Sequence, residues 1–121
     1  MTAQTRHTIL IVDDQVDARE ALGEFLTMNG YMVASAGNGQ AALDRISTWR
    51  TPPALILLDL MMPVMDGYTF LNRARQDDRT KDVPIIVTTA DPSRGAPGAT
   101  TVLTKPIKLE KLLPLVRRFV H

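Results

Sequence analysis

Three aspartates, a threonine and a lysine in this chain stand at the ends of separate apolar runs. Asp13-Asp14 follows the run from Thr8 to Val12, Asp59 follows the run from Ala54 to Leu58, Thr88-Thr89 closes the run from Val83, and Lys105-Pro106 follows Thr100 to Thr104. Brought to one rim, three carboxylates would raise one another's pKa and repel, which disfavours folding unless a cation neutralises them. A hard, oxygen-seeking ion such as Mg²⁺ suits that set, because it takes few protein ligands and keeps several waters. An aspartate beside Mg²⁺ is a competent nucleophile toward phosphorus, and Lys105 and Thr89 could hold the added phosphoryl oxygens.

Each residue alone has a plainer reading. Asp13-Asp14 could cap a helix, Asp59 could sit in a turn, Thr89 could be a strand hydroxyl and Lys105 a solvated charge. The joint pattern, complementary groups at four strand ends, is what points to a site.

The elements that must position these groups alternate along the chain. The four runs named above are continuously apolar, as strands covered on both faces of a parallel sheet are, and Tyr31 to Ser35 is expected as a fifth strand at an edge. Between them lie helical stripes. The first carries Ala18, Ala21, Leu22, Phe25 and Leu26 and stops at Asn29-Gly30. The second carries Ala42, Leu43 and Ile46, and the third runs from about Gly67 with Phe70, Leu71 and Ala74 inward. The charged stretch Arg75 to Asp82 is expected to return the chain through solvent. The last helix carries Leu109, Leu112, Leu113, Val116 and Val120, with Pro114 calling for a late start or a kink. This is the pattern of a doubly wound α/β sandwich, in which ligands collect at the carboxyl ends of the strands.

At 121 residues with 45% hydrophobic content the chain has room for one core and not for two. Its 14 basic and 13 acidic residues nearly balance at +1 without a basic block, so no electrostatic footprint for nucleic acid is expected. It has no cysteine, no run of membrane-spanning length and no apolar stretch after Arg6 that would act as a signal peptide. A cytoplasmic protein with no membrane or nucleic-acid contact is the resulting expectation. Residues 1–6 are expected to be a flexible tail, and His7 and His121 to be solvated.

Other motifs carry less. Met61, Met62 and Met65 read as packing, Trp49 with Arg50 and Pro52-Pro53 as the end of the second helix, and Gly37-Asn38-Gly39 as a turn. A phosphoester hydrolase with an aspartyl nucleophile is disfavoured, because Met61 and not an acid stands two residues beyond Asp59.

The stretches from Ile9 to Asp14 and from Leu57 to Gly67, with Thr89-Ala90 and Lys105-Pro106, resemble the receiver domains of response regulators, over nearly the whole chain from His7 to Phe119. The resemblance implies a flavodoxin-like sheet of five parallel strands in the order 2-1-3-4-5 and a single domain over residues 7–121. It implies that Asp59 accepts a phosphoryl group from a histidine kinase or a histidine phosphotransfer protein. Asp14 and Asp59 would bind Mg²⁺ directly, Asp13 mainly through water, and the Met61 carbonyl would complete the protein ligands. Thr89 would hydrogen-bond the phosphoryl group, Lys105 would pair with it, small Ala90 would leave it room, and the Lys105-Pro106 bond would be cis. The chain would then be a phosphoacceptor that dephosphorylates itself and passes its signal to a downstream protein, not a classical enzyme.

The chain departs from the family between Thr89 and Lys105, where 15 residues stand, fewer than receivers usually have. The segment Asp91 to Ala99 holds two prolines and two glycines, so the fourth helix is expected to be missing or cut to one turn starting at Asp91-Pro92. Val102 stands where many receivers carry an aromatic switch residue. The strand-four, strand-five and last-helix face should lose cover there and offer a docking place for a partner or a second copy. The alternative function is a receiver fold that binds a partner regardless of phosphate.

Overall fold

The computed structural model describes residues 8–62 and 64–120; the expected tail at 1–6, His7 and His121 lie outside them. Five strands, β1 (Thr8–Val12), β2 (Met32–Ala36), β3 (Leu55–Asp59), β4 (Ile85–Thr89) and β5 (Thr101–Thr104), form one parallel sheet in the order β2-β1-β3-β4-β5. Every residue of β1, β3 and β4 is buried, which is why their sequences run apolar without alternation. The edge strands β2 and β5 are mixed.

Four helices cover the two faces: α1 (Val16–Met28), α2 (Gly39–Ser47), α3 (Gly67–Gln76) and α4 (Leu109–Phe119). On one face Leu10, Ile56, Leu58, Ile85 and Val87 pack with Ala42 and Ile46 of α2 and Phe70, Leu71 and Ala74 of α3. On the other Ile9, Ile11, Leu57 and Ile86 pack with Leu22 and Leu26 of α1 and Leu112 and Val116 of α4. Asn38 Oδ1 caps α2 by accepting from the Ala41 N–H at 2.8 Å, so Gly37-Asn38-Gly39 is a helix entry. The expected stop after α1 is present, with Gly30 at φ 92°.

Some expectations need correction. Ala21 and Leu109, placed on the inward stripes, are exposed, because the buried arc of each helix is narrower than its apolar pattern. Pro114 neither delays nor ends α4, which runs through it. The missing N–H leaves the Glu110 carbonyl without its intrahelical donor. The stretch 75–82 does not simply run through solvent: Thr80 is buried and its hydroxyl donates to the Ala74 carbonyl at 2.6 Å.

The expected loss of the fourth receiver helix is observed. A single 3-10 turn, Pro92–Arg94, stands between β4 and β5, with Asp91 Oδ1 accepting from the Ser93 N–H at 3.1 Å. The segment still offers some cover, since Ala96 and Ala99 pack on the α2/α3 side of the core. Val102 remains 39% exposed.

Candidate functional site

The ends of β1, β3, β4 and β5 converge on one rim. The chain leaves β1 with the Asp13 N–H donating to the Ala36 carbonyl at 3.1 Å, which fixes Asp13 beside the sheet and leaves it only 3% exposed. Asp13 Oδ1 accepts from the Gln15 N–H at 2.9 Å, and the Asp13 carbonyl accepts from Arg19 Nη1 at 2.8 Å. Asp13 thus braces the turn into α1, while Gln15 at the cap position of that helix forms no side-chain cap. Asp14, next along, is exposed.

Asp59 is the last residue of β3 and 5% exposed. Its Oδ1 accepts from the Met61 N–H at 3.3 Å. The backbone beyond it is held by Leu60 N–H on the Thr88 carbonyl at 3.2 Å and Gly67 N–H on the Leu60 carbonyl at 2.9 Å. Gly67 is required for that approach: a β-carbon there would lie 2.6 Å from Leu60 Cα and 3.0 Å from the Asp59 carbonyl oxygen. The glycine therefore lets the start of α3, capped by Asp66 Oδ1 on the Thr69 N–H at 2.9 Å, seat directly against the end of β3.

Lys105 follows β5, its N–H donating to the Thr89 carbonyl at 2.8 Å, and its bond to Pro106 is cis as the resemblance implies. Its Nζ stands 3.3 Å from Asp59 Oδ1 and 3.8 Å from Asp13 Oδ2. Carboxylate oxygens of Asp13, Asp14 and Asp59 all lie within 4.8 Å of one another. Burial pushes the Asp59 carboxyl above its ordinary pKa; Lys105 opposes this, Asp13 adds to it, and the Met61 N–H pulls back toward the charged form. The rim thus concentrates negative charge beyond what one ammonium offsets.

Of the residues singled out from sequence, Asp13, Asp14, Asp59 and Lys105 are brought together. Thr89 lies at the end of β4 and is buried, with its hydroxyl engaged by Asp91: it accepts from the Asp91 N–H at 3.1 Å and donates to the Asp91 carbonyl at 3.4 Å. Met61 meets Asp59 through its N–H, and its side chain is 59% exposed.

Sequence reasoning missed three arginines, one beside the rim and two at the opposite end of the sheet. Arg94 lies 5.6 Å from the Tyr68 ring centroid and its Nη1 is 3.8 Å from Met61 Sδ. Arg75 donates to the carbonyls of Thr80 (3.1 Å), Lys81 (3.1 Å), Val83 (2.8 Å) and, through Nε, Gly98 (2.8 Å). Arg79 donates to the Ile46 carbonyl at 2.9 Å and to that of Trp49, holding the end of α2. Their partners are backbone atoms and distant side chains, which no local pattern reveals.

Residues 9–117 match the sequence profile of the family described as the response regulator receiver domain. The chain is 39% identical, over 93% of its length, to the DNA-binding dual master transcriptional regulator RpaA of Synechocystis, and spans 48% of that protein. It is 37% identical to a chemotaxis protein CheY of Rhizobium etli, covering 93% of this chain and 91% of that one. Among solved structures, the receiver domain of the sensor histidine kinase PA1611 from Pseudomonas aeruginosa superimposes with a TM-score of 0.84 at 29% identity, covering 93% of this chain and 96% of that one. That structure has a magnesium ion coordinated in its active-site cleft. The chain thus spans about half of RpaA, whose DNA binding is a property of that longer protein. Among the described residues no helix is long and apolar enough to cross a membrane.

Proposed function

This chain belongs to the response regulator receiver-domain family, and from that premise we propose that it is a phosphoacceptor switch of a two-component system, charged on Asp59 by a histidine kinase or a histidine phosphotransfer protein. The observation that carries this reading is the buried Asp59 carboxylate with Lys105 Nζ at 3.3 Å and acidic oxygens of Asp13 and Asp14 within 4.8 Å. Residues 7–121 are taken as the receiver domain.

The donor set fits a hard divalent cation: its side-chain ligands are all carboxylate oxygens, and Asp13 already raises the pKa of Asp59 by like-charge repulsion. Asp14 and Asp59 would hold Mg²⁺ directly, Asp13 through water, with the Met61 carbonyl as a further ligand. When bound, the ion supplies charge neutralisation at the phosphoryl oxygens and keeps Asp59 ionised.

The chain's own residues carry the rest. An Asp59 carboxylate oxygen attacks phosphorus as the P–N bond to the donor imidazole breaks. The bonding pair returns to that nitrogen, which takes a proton, and the product is an acyl phosphate on Asp59. Lys105 Nζ, already beside Asp59, pairs with the incoming oxygens. The Thr89 hydroxyl exchanges its Asp91 partners for a phosphoryl oxygen, and small Ala90 leaves room. Hydrolysis of the acyl phosphate resets the switch. The output is a contact with a downstream protein at the β4, β5 and α4 face, where Val102 is exposed and a second copy would also dock.

Incubation with Mg²⁺ and acetyl phosphate, read by intact mass, tests the proposal. One added phosphoryl group per chain is expected. An unchanged mass, with partner binding intact, would instead favour a phosphate-independent binding module.

A further inference from the structure

Arg94 occupies the one helical turn of the segment joining β4 to β5, beside the rim. Its guanidinium rests on the Tyr68 ring and against the Met61 thioether, while the Tyr68 hydroxyl donates to the Gly95 carbonyl at 3.3 Å. Met61 is also the residue whose N–H meets Asp59 Oδ1, so a short chain of contacts runs from Arg94 through Met61 to Asp59. Both partners of the guanidinium are uncharged, and a half-buried aromatic face and a thioether are weak partners for it. Asp91 feels the Arg94 charge but gives its Oδ1 to Ser93.

A phosphoryl group on Asp59 would change that balance. It presents several anionic oxygens that match the planar guanidinium fork far better than a ring or a sulfur does. On its far side the turn that carries Arg94 continues into Gly95 and Gly98, whose positive φ (71° and 95°) glycine adopts without strain. At its near side it hangs on the Asp91 backbone, which is bonded to the Thr89 hydroxyl.

We propose that Arg94 is a phosphoryl-binding arm, resting on Tyr68 and Met61 in the unmodified protein and pairing with the group on Asp59 when it arrives. The inference rests on Asp59 being the acceptor. Movement of Arg94 draws the Pro92–Arg94 turn toward the rim and frees Tyr68 on α3. The signal then passes to α3 and to residues 91–99, which Arg75 also joins through the Gly98 carbonyl. No ring on β5 is needed, and Val102 supplies none.

Beryllofluoride with Mg²⁺ serves as the phosphoryl probe. The Arg94 Nε–Hε resonance of the unmutated protein should shift on adding it, and amides in 91–99 should change their hydrogen exchange. Arg94→Ala should bind beryllofluoride about tenfold more weakly, the size of one charge-assisted hydrogen bond at an exposed site. Arg94→Lys should recover part of the loss, and Arg73→Ala, an exposed cation elsewhere on α3, should show none of it. If Asp59 takes the phosphoryl group but the Arg94 resonance does not move and Arg94→Ala binds normally, the inference is overturned and the acceptor reading stands. If the unmutated protein neither gains mass with acetyl phosphate nor binds beryllofluoride, both fall.

Discussion

Lys105 Nζ reaches past β4, from the end of β5 to the end of β3, and stands 3.3 Å from Asp59 Oδ1. The pair joins the positive group of the rim to the carboxylate whose pKa burial pushes upward. The same ammonium stands 3.8 Å from Asp13 Oδ2, so one positive charge is shared between two of the three carboxylates.

Asp59→Asn should take up no phosphoryl group from acetyl phosphate while keeping the circular dichroism of the unmutated chain. An amide keeps the shape of the side chain and is no nucleophile. A mass gain that survives the substitution would place the acceptor elsewhere.

Lys105→Ala should keep its Mg²⁺ affinity by calorimetry, or gain a few fold, since a competing cation leaves Asp59 and Asp13. Its hydrogen-exchange response to beryllofluoride should nonetheless be blunted. A large loss of Mg²⁺ binding would mean that the lysine shapes the metal site itself.

In chelator, the stability of the protein should carry the signature of the raised Asp59 pKa. A carboxyl that titrates higher in the folded than in the unfolded chain favours folding when protonated. That contribution is present below the ordinary value of 3.8 and is lost as pH rises through the folded pKa. Asp59→Asn does not titrate, so its melting temperature relative to the unmutated chain should climb from acid to neutral pH. A pH-independent difference would show that the carboxyl is not held high.

Arg75→Ala should destabilise the fold by about 2–3 kcal/mol, lowering the melting temperature by roughly 10 °C. Four carbonyls lose a charged donor, three in the loop before β4 and one in the segment before β5. Phosphoryl uptake should persist in the folded fraction. A loss below about 0.5 kcal/mol would assign those contacts to a solvated surface.

What could be read from the sequence was whatever local pattern dictates. Continuous apolar runs located four strands, and Tyr31 to Ser35 the edge strand, to within one or two residues, and complementary side chains at four strand ends located the rim. The missing helix was visible because prolines and glycines in 91–99 forbid one. The pattern could not say that Asp14 faces solvent while Asp13 is buried, since both follow the same strand and only the turn into α1 separates them. Nor could it find Arg75, Arg79 or Arg94, whose partners lie up to 33 residues away and are mostly backbone atoms. A charged run such as 75–82 reads as solvent-facing, yet one of its arginines serves as an internal tie.

The groups of the rim lie far apart in the chain. Asp13 and Asp14 precede the first helix, whereas Lys105 comes after the last strand, and β1 sits between β2 and β3 in the sheet. During synthesis from the amino terminus, the acidic pair leaves the ribosome early and the lysine late. A nascent chain, or one cut short within β5, would carry the Asp59 carboxylate without its counter-charge and without a closed sheet edge behind it. The rim is therefore completed only once β5 and the lysine after it have been made and added to the sheet.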